Sequence, residues 1–191
     1  MIQRSMTAEE FAQNRYDLPD AGQWSELVRG VPVAGEAPDL DHGTIVLNFS
    51  KALSAYVHET ENGYPCFDLG LKVESAPDTV FFPAISYFLS GARFAEQDQD
   101  YTTTVPGLVI ELLTTADRRR QISERITAYQ TFGIASVWLV DPQQRTAHVV
   151  NRAAAIPLRV TEFETLRGDP ILSGFSIKVA ELFEEPEWAK K

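Results

Sequence analysis

Between residues 106 and 142 the spacing of apolar positions changes twice. Leu108-Val109-Ile110 is a continuous apolar run. Ile122, Ile126, Tyr129 and Phe132 then recur at helical spacing, and residues 134–140 are again mostly apolar. The pattern predicts a buried strand, an amphipathic helix and a second buried strand, a βαβ-like unit. Gly133 stands where a left-handed C-terminal cap falls, and Asp141-Pro142 ends the second strand. Glu111 interrupts the first run just before Leu112-Leu113 and the polar turn 114–117. A carboxylate there is costly to bury unless a metal, a basic side chain or a proton compensates it, so the position reads as a site. Arg125, three residues after Ile122 and four before Tyr129, borders the apolar face of the helix and can turn inward over the strand carrying Glu111.

The remaining pattern fills out an α/β fold with a mixed sheet flanked by helices. A short helix is predicted over 7–13, with Thr7 as cap and Glu10 placed for a capping box. A strand pair, or a strand and turn, follows over 24–33 around Gly30. A helix over 42–60 is capped by Asp41, turns Ile45, Phe49, Leu53 and Tyr56 or Val57 inward, and ends at Asn62-Gly63. Residues 66–74 and 79–88 read as neighbouring strands, and 90–104 as a polar loop placed to lie over the site or to move. Strands near 146–150 and 158–163 and a short helix from Val179 complete the chain.

At 191 residues and 44% hydrophobic content, one domain over 1–191 can bury a substantial core, and no run is long enough for a membrane span. The single Cys66 excludes an internal disulfide framework, and with no basic-then-apolar leader at its start the chain is expected to be cytoplasmic. With 17 basic and 27 acidic residues the net charge is −10, which opposes non-specific attraction to a polyanion and leaves a local basic surface as the route to DNA.

Pro106-Gly107-Leu108-Val109-Ile110-Glu111, Tyr129-Gln130-Thr131-Phe132-Gly133 and Val137-Trp138-Leu139-Val140-Asp141-Pro142 together resemble segments of the putative restriction endonuclease family of bacteria, within the PD-(D/E)xK nuclease superfamily. Met6 to Phe11, Glu26-Leu27-Val28-Arg29-Gly30, His42-Gly43 and the ending from Gly174-Phe175 to Leu182-Phe183 extend the likeness to about 6–183. Ser173 stands where the family usually has proline. The resemblance implies a restriction-endonuclease-like core and Mg²⁺-dependent phosphodiester hydrolysis of DNA. An Asp and a Glu on strands hold the metal, an N-terminal acid assists, and a Lys balances developing charge. By this match Glu111 and Glu26 are metal-binding and catalytic positions, and Arg125 stands at the catalytic lysine.

Two positions depart from the pattern. The Pro-Asp strand motif falls on Pro83-Ala84, which puts Ala84 at the metal-binding Asp, and Arg125 cannot give up a proton as a lysine can. Asp78, in Pro77-Asp78, lies six residues away, roughly 20 Å along a strand, and does not reach the gap. Weak or absent Mg²⁺ binding and a degenerate site follow from the match.

Arg118-Arg119-Arg120 forms a basic cluster near a helix N-terminus. It is a candidate DNA contact, read against a solvated first turn in which Glu124 follows Arg120 by four. Glu111 has a plain alternative as a structural ion pair with Arg125, and Glu26 as a solvated acid. His42 reads as a solvent-facing helix start, and Trp138 as core. Three functions compete: an impaired nuclease that binds DNA or a protein through the old cleft; an active endonuclease in which Glu74 or Asp68 fills the Ala84 gap; and a binding or oligomer-forming protein, such as a homodimer, that keeps only the fold.

Overall fold

The computed structural model describes residues 5–92, 95–96 and 98–190. Thr7 caps helix α1 (Ala8–Asn14) through the reciprocal bonds of a capping box with Glu10. Strands β1 (Ser25–Val28) and β2 (Val31–Ala34) pair as a hairpin whose turn, Arg29-Gly30, has positive φ at both residues. Helix α2 (Leu40–Thr60) follows, and its cap is Asp39 rather than the expected Asp41: the Asp39 carboxylate accepts from the His42 N–H, which starts the helix two residues earlier. Ile45, Phe49 and Leu53 are buried as predicted, and of the alternatives Tyr56 and Val57 both are.

The next strands are β3 (Tyr64–Phe67), β4 (Gly70–Glu74), β5 (Thr79–Phe81) and β6 (Ile85–Phe88). Sequence periodicity predicts two long neighbours here, and the structure breaks both. Asp68 adopts positive φ, and Pro83 has no N–H to give to a ladder, so both runs break at the same level. The two halves then join different sheets, β3 pairing with β6 and β4 with β5.

A short strand β7 (Tyr101–Thr102) lies within the segment expected to be loop, while Arg93, Phe94 and Gln97 fall outside the described residues. Strand β8 (Leu108–Leu112), helix α3 (Ala116–Phe132) and strand β9 (Ser136–Asp141) form the expected unit, with Gly133 as a left-handed cap at φ 115°. Strands β10 (Thr146–Asn151) and β11 (Leu158–Thr161) extend that sheet, and the small hairpin β12 (Thr165–Arg167) with β13 (Ser176–Lys178) was not foreseen. The C-terminal turn at Val179–Phe183 is a 3-10 helix.

The strands form a mixed sheet in the order β11-β10-β9-β8-β6-β3, a mixed sheet β2-β1-β5-β4-β7, and the small hairpin. One core lies between α2 and the six-stranded sheet, around Phe49, Tyr87, Ile110 and Trp138. The second lies beneath α3 and joins Leu71 and Phe81 of the smaller sheet to Val109 and Val137 of the larger. Glu111 alternates in phase with Val109 and so shares its face, under α3. None of the described helices is long and apolar enough to cross a membrane.

Candidate functional site

Arg118, Ile122, Arg125 and Tyr129 follow one another at spacings of four, three and four, so they form one stripe of α3. That stripe faces the level at which the two sheets divide. Arg125 is fully buried there. Its Nε lies 2.7 Å from Glu111 Oε1 on the larger sheet, and its Nη1 lies 2.6 Å from Glu26 Oε2 on the smaller. Nη2 donates to Tyr129 Oη at 3.0 Å, and the guanidinium carbon sits 4.2 Å from the centre of the Phe81 ring. Tyr129 in turn donates to Glu111 Oε1. One guanidinium therefore joins both sheets through Glu111 and Glu26.

Arg118 completes the arrangement from the solvent side. Its Nη1 is 3.2 Å from Glu26 Oε1, and its Nε is 3.6 Å from Glu111 Oε2. Glu26 Oε1 also accepts the Phe82 N–H at 2.9 Å, which ties β1 to the residues just before Ala84. Burial works against the Glu26 charge, but Arg125, Arg118 and the Phe82 N–H outweigh it and hold its pKa below the usual carboxylate value. Burial likewise disfavours the Arg125 charge, and Glu111 and Glu26 overcome it so that the guanidinium holds its proton more firmly than in water. Burial pushes the Tyr129 phenol well above its ordinary value, keeping it a donor.

Strand register explains where Ala84 falls. Ile85 pairs with Ile110 on one side and with Phe67 on the other, so one further step sets Ala84 between Glu111 and Asp68. The Asp68 N–H donates to the Ala84 carbonyl at 3.2 Å. Asp68, Ala84, Glu26, Glu111 and Arg118 all line one cleft of about 230 Å³, together with Trp24, His42 and Glu36. Desolvation raises the Asp68 pKa, and Glu26 adds to it against Arg15 and Arg118.

Several expected placements differ. Glu74 accepts from Thr79 Oγ1 and lines a separate cavity with Val28 and Glu124, because it belongs to the half-strand that joins the smaller sheet; it does not face Ala84. The three arginines diverge at helical angles rather than forming a surface. Only Arg118 enters the cleft, Arg119 makes a two-bond pair with Asp141 at 2.7 and 2.9 Å, and exposed Arg120 pairs with Asp117. His42 is half-buried in the cleft wall, its Nδ1 3.4 Å from Thr114 Oγ1, where burial and then Arg118 lower its pKa. Thr115 caps α3, while Glu36 accepts from the Ala116 and Asp117 N–H groups. Asp78 binds the Ala8 N–H and Lys72, a structural role. Glu96 and Gln99 of the 90–104 segment line another cavity, beside Cys66 and His58. Tyr129 was legible only as a core residue, and nothing in the sequence marked its hydroxyl as a partner of Glu111.

The donor set does not fit a hard divalent ion while both arginines are in place. Each carboxylate has one oxygen on Arg125 and the other facing Arg118, and among the described residues no three His, Cys, Asp or Glu side chains gather as a metal cage.

Residues 8–180 match the family described as putative restriction endonuclease, Uma2. A solved structure of a putative nuclease belonging to DUF820, from Anabaena variabilis ATCC 29413, superposes with a TM-score of 0.74 at 18% identity. The alignment covers 93% of this chain and 97% of that one, a likeness of fold. No curated protein matches.

Proposed function

Because this chain belongs to the putative restriction endonuclease family, we propose that it keeps the family cleft as a DNA-binding site and hydrolyses phosphodiesters poorly or not at all. The observation that carries the reading is the position of Arg125, bonded at once to Glu111 and Glu26 and fully buried. A divalent ion in such a site has two tasks, polarising the phosphate and lowering the pKa of the attacking water. A guanidinium supplies charge for the first but no open coordination position for the second, and its proton is too firmly held for general-base work. Ala84 removes a further anionic oxygen from the same row. Mg²⁺, the metal implied by the family likeness, is therefore bound weakly or not at all. A cytoplasmic location belongs to the same proposal, supported by the lone, unpaired Cys66.

One observation favours the second reading, an active enzyme with a relocated acid: Asp68 lies directly beside Ala84 in strand register and lines the cleft. Asp68 replaces Glu74 as the residue to test for that role. With protein in excess over labelled duplex DNA, cleavage in Mg²⁺ or Mn²⁺ should proceed no faster in the native protein than in Glu111→Ala, while duplex binding persists. Metal-dependent cleavage lost in Glu111→Ala would overturn the impaired reading, and its further loss in Asp68→Asn would assign the relocated acid.

A further inference from the structure

The four oxygens of Glu26 and Glu111 divide between the two arginines. Arg125 holds Glu111 Oε1 and Glu26 Oε2 from beneath, within the protein. Arg118 faces Glu26 Oε1 and Glu111 Oε2 from the cleft, and its side chain is 23% exposed. The two arginines are not equally fixed. Arg125 has directed hydrogen bonds to three groups and ring contact beneath it, whereas one of the two Arg118 contacts, at 3.6 Å, is longer than a hydrogen bond and rests on charge alone. The carboxylates do not need Arg118 to stay where they are. Arg125 and Tyr129 position Glu111, and Arg125 with the Phe82 N–H positions Glu26. Two fixed anionic oxygens, facing the cleft beneath Arg118 and spanned by a single cation, are a hard-ligand pair of the kind a divalent ion takes.

We propose that Arg118 occupies the divalent-cation position of this cleft, so that guanidinium and metal ion compete for Glu26 Oε1 and Glu111 Oε2. The inference deepens the functional reading above and rests on it only for the identity of the cleft. In this account the chain supplies its own counter-ion from a helix whose first turn is closed by Thr115 and Glu36, and the oxygen pair stays neutralised in the absence of metal.

The test is a Mn²⁺ titration of native protein, Arg118→Ala and Arg118→Ala/Glu26→Gln, read by bound-ion electron paramagnetic resonance and by melting temperature. Removing a unit positive charge within about 4 Å of the ion position should tighten Mn²⁺ binding by at least about tenfold. Arg118→Ala should therefore bind one Mn²⁺ at least that much more tightly than the native protein and melt at a higher temperature when Mn²⁺ is added. Both gains should disappear in the double variant. Arg118→Gln, which keeps most of the side-chain volume, repeats the comparison should the alanine variant fold poorly. Equal affinity in native protein and both Arg118 variants would overturn the proposal, as would tighter binding that survives Glu26→Gln. A native protein that cleaves DNA would refute the impaired-nuclease reading without touching this competition, so the two failures are distinguishable.

Discussion

Replacing Arg125 by Met isolates what the buried guanidinium contributes. The substitution keeps an unbranched side chain of similar reach but leaves Glu111, 1% exposed, with the Tyr129 hydroxyl and a distant Arg118, and leaves Glu26 with Arg118 and the Phe82 N–H. Removing one partner of a buried ion pair typically costs about 3–5 kcal/mol, because the remaining charge loses its compensation without regaining water. One guanidinium here serves two carboxylates in two sheets, so the upper half of that range applies. Against a total stability of roughly 5–15 kcal/mol the loss is large, and at about 2–4 °C per kcal/mol it lowers the melting temperature by roughly 8–20 °C. Urea unfolding followed by the fluorescence of buried Trp138, which packs near Phe49 and Phe175, measures the change. The cost belongs to unpaired charge rather than to lost packing, so Glu26→Gln/Glu111→Leu/Arg125→Met should recover more than half of it. A loss below about 1 kcal/mol in Arg125→Met, or a triple variant less stable than the single one, would refute the reasoning.

Acid should destabilise the fold through the same network. The Glu26 pKa in the folded protein lies below its ordinary 4.5, so its contribution is complete above that value and is lost as pH falls through it toward the lowered one. Urea midpoints measured from about pH 6 to about pH 3 should show this loss, and Glu26→Gln should flatten it. Arg119→Ala should cost about 1.5–3 kcal/mol by breaking its two-bond pair with Asp141, and should leave duplex binding unchanged in a fluorescence anisotropy titration; weaker binding would restore Arg119 to the cleft. In the Arg118→Ala background, Asp68→Asn should weaken Mn²⁺ binding while Glu74→Gln should not, as read by the same titration; the opposite order would contradict the strand register.

The βαβ-like unit was legible because its periods are clean: an apolar run, a helical repeat and a second run, with Glu111 as the one charged interruption. The inward turn of Arg125 followed from its place beside Ile122 and Tyr129. What the sequence hid depends on contacts between distant segments. The cap of α2 moved to Asp39 because two nearby aspartates offer the same chemistry and only the path of the chain chooses between them. Residues 66–74 and 79–88 alternate without a visible break, yet Asp68 and Pro83 divert both between sheets, and that division separates Glu74 from the cleft while setting Asp68 beside Ala84. Consecutive arginines read as one patch in a linear sequence, whereas the helix points Arg118, Arg119 and Arg120 in three directions.

The central claim is that the chain's own arginines have taken the place of the catalytic metal. Nicking of supercoiled plasmid in Mg²⁺ or Mn²⁺ tests it most directly, comparing the native protein, Glu111→Ala and the double variant Ala84→Asp/Arg125→Lys. The double variant returns an anionic oxygen to the row beside Glu111 and replaces the fixed fork with a smaller, titratable ammonium. The account predicts no nicking by the native protein above the Glu111→Ala background, and tighter Mn²⁺ binding in the double variant with nicking restored. Robust nicking by the native protein that vanishes in Glu111→Ala would contradict it.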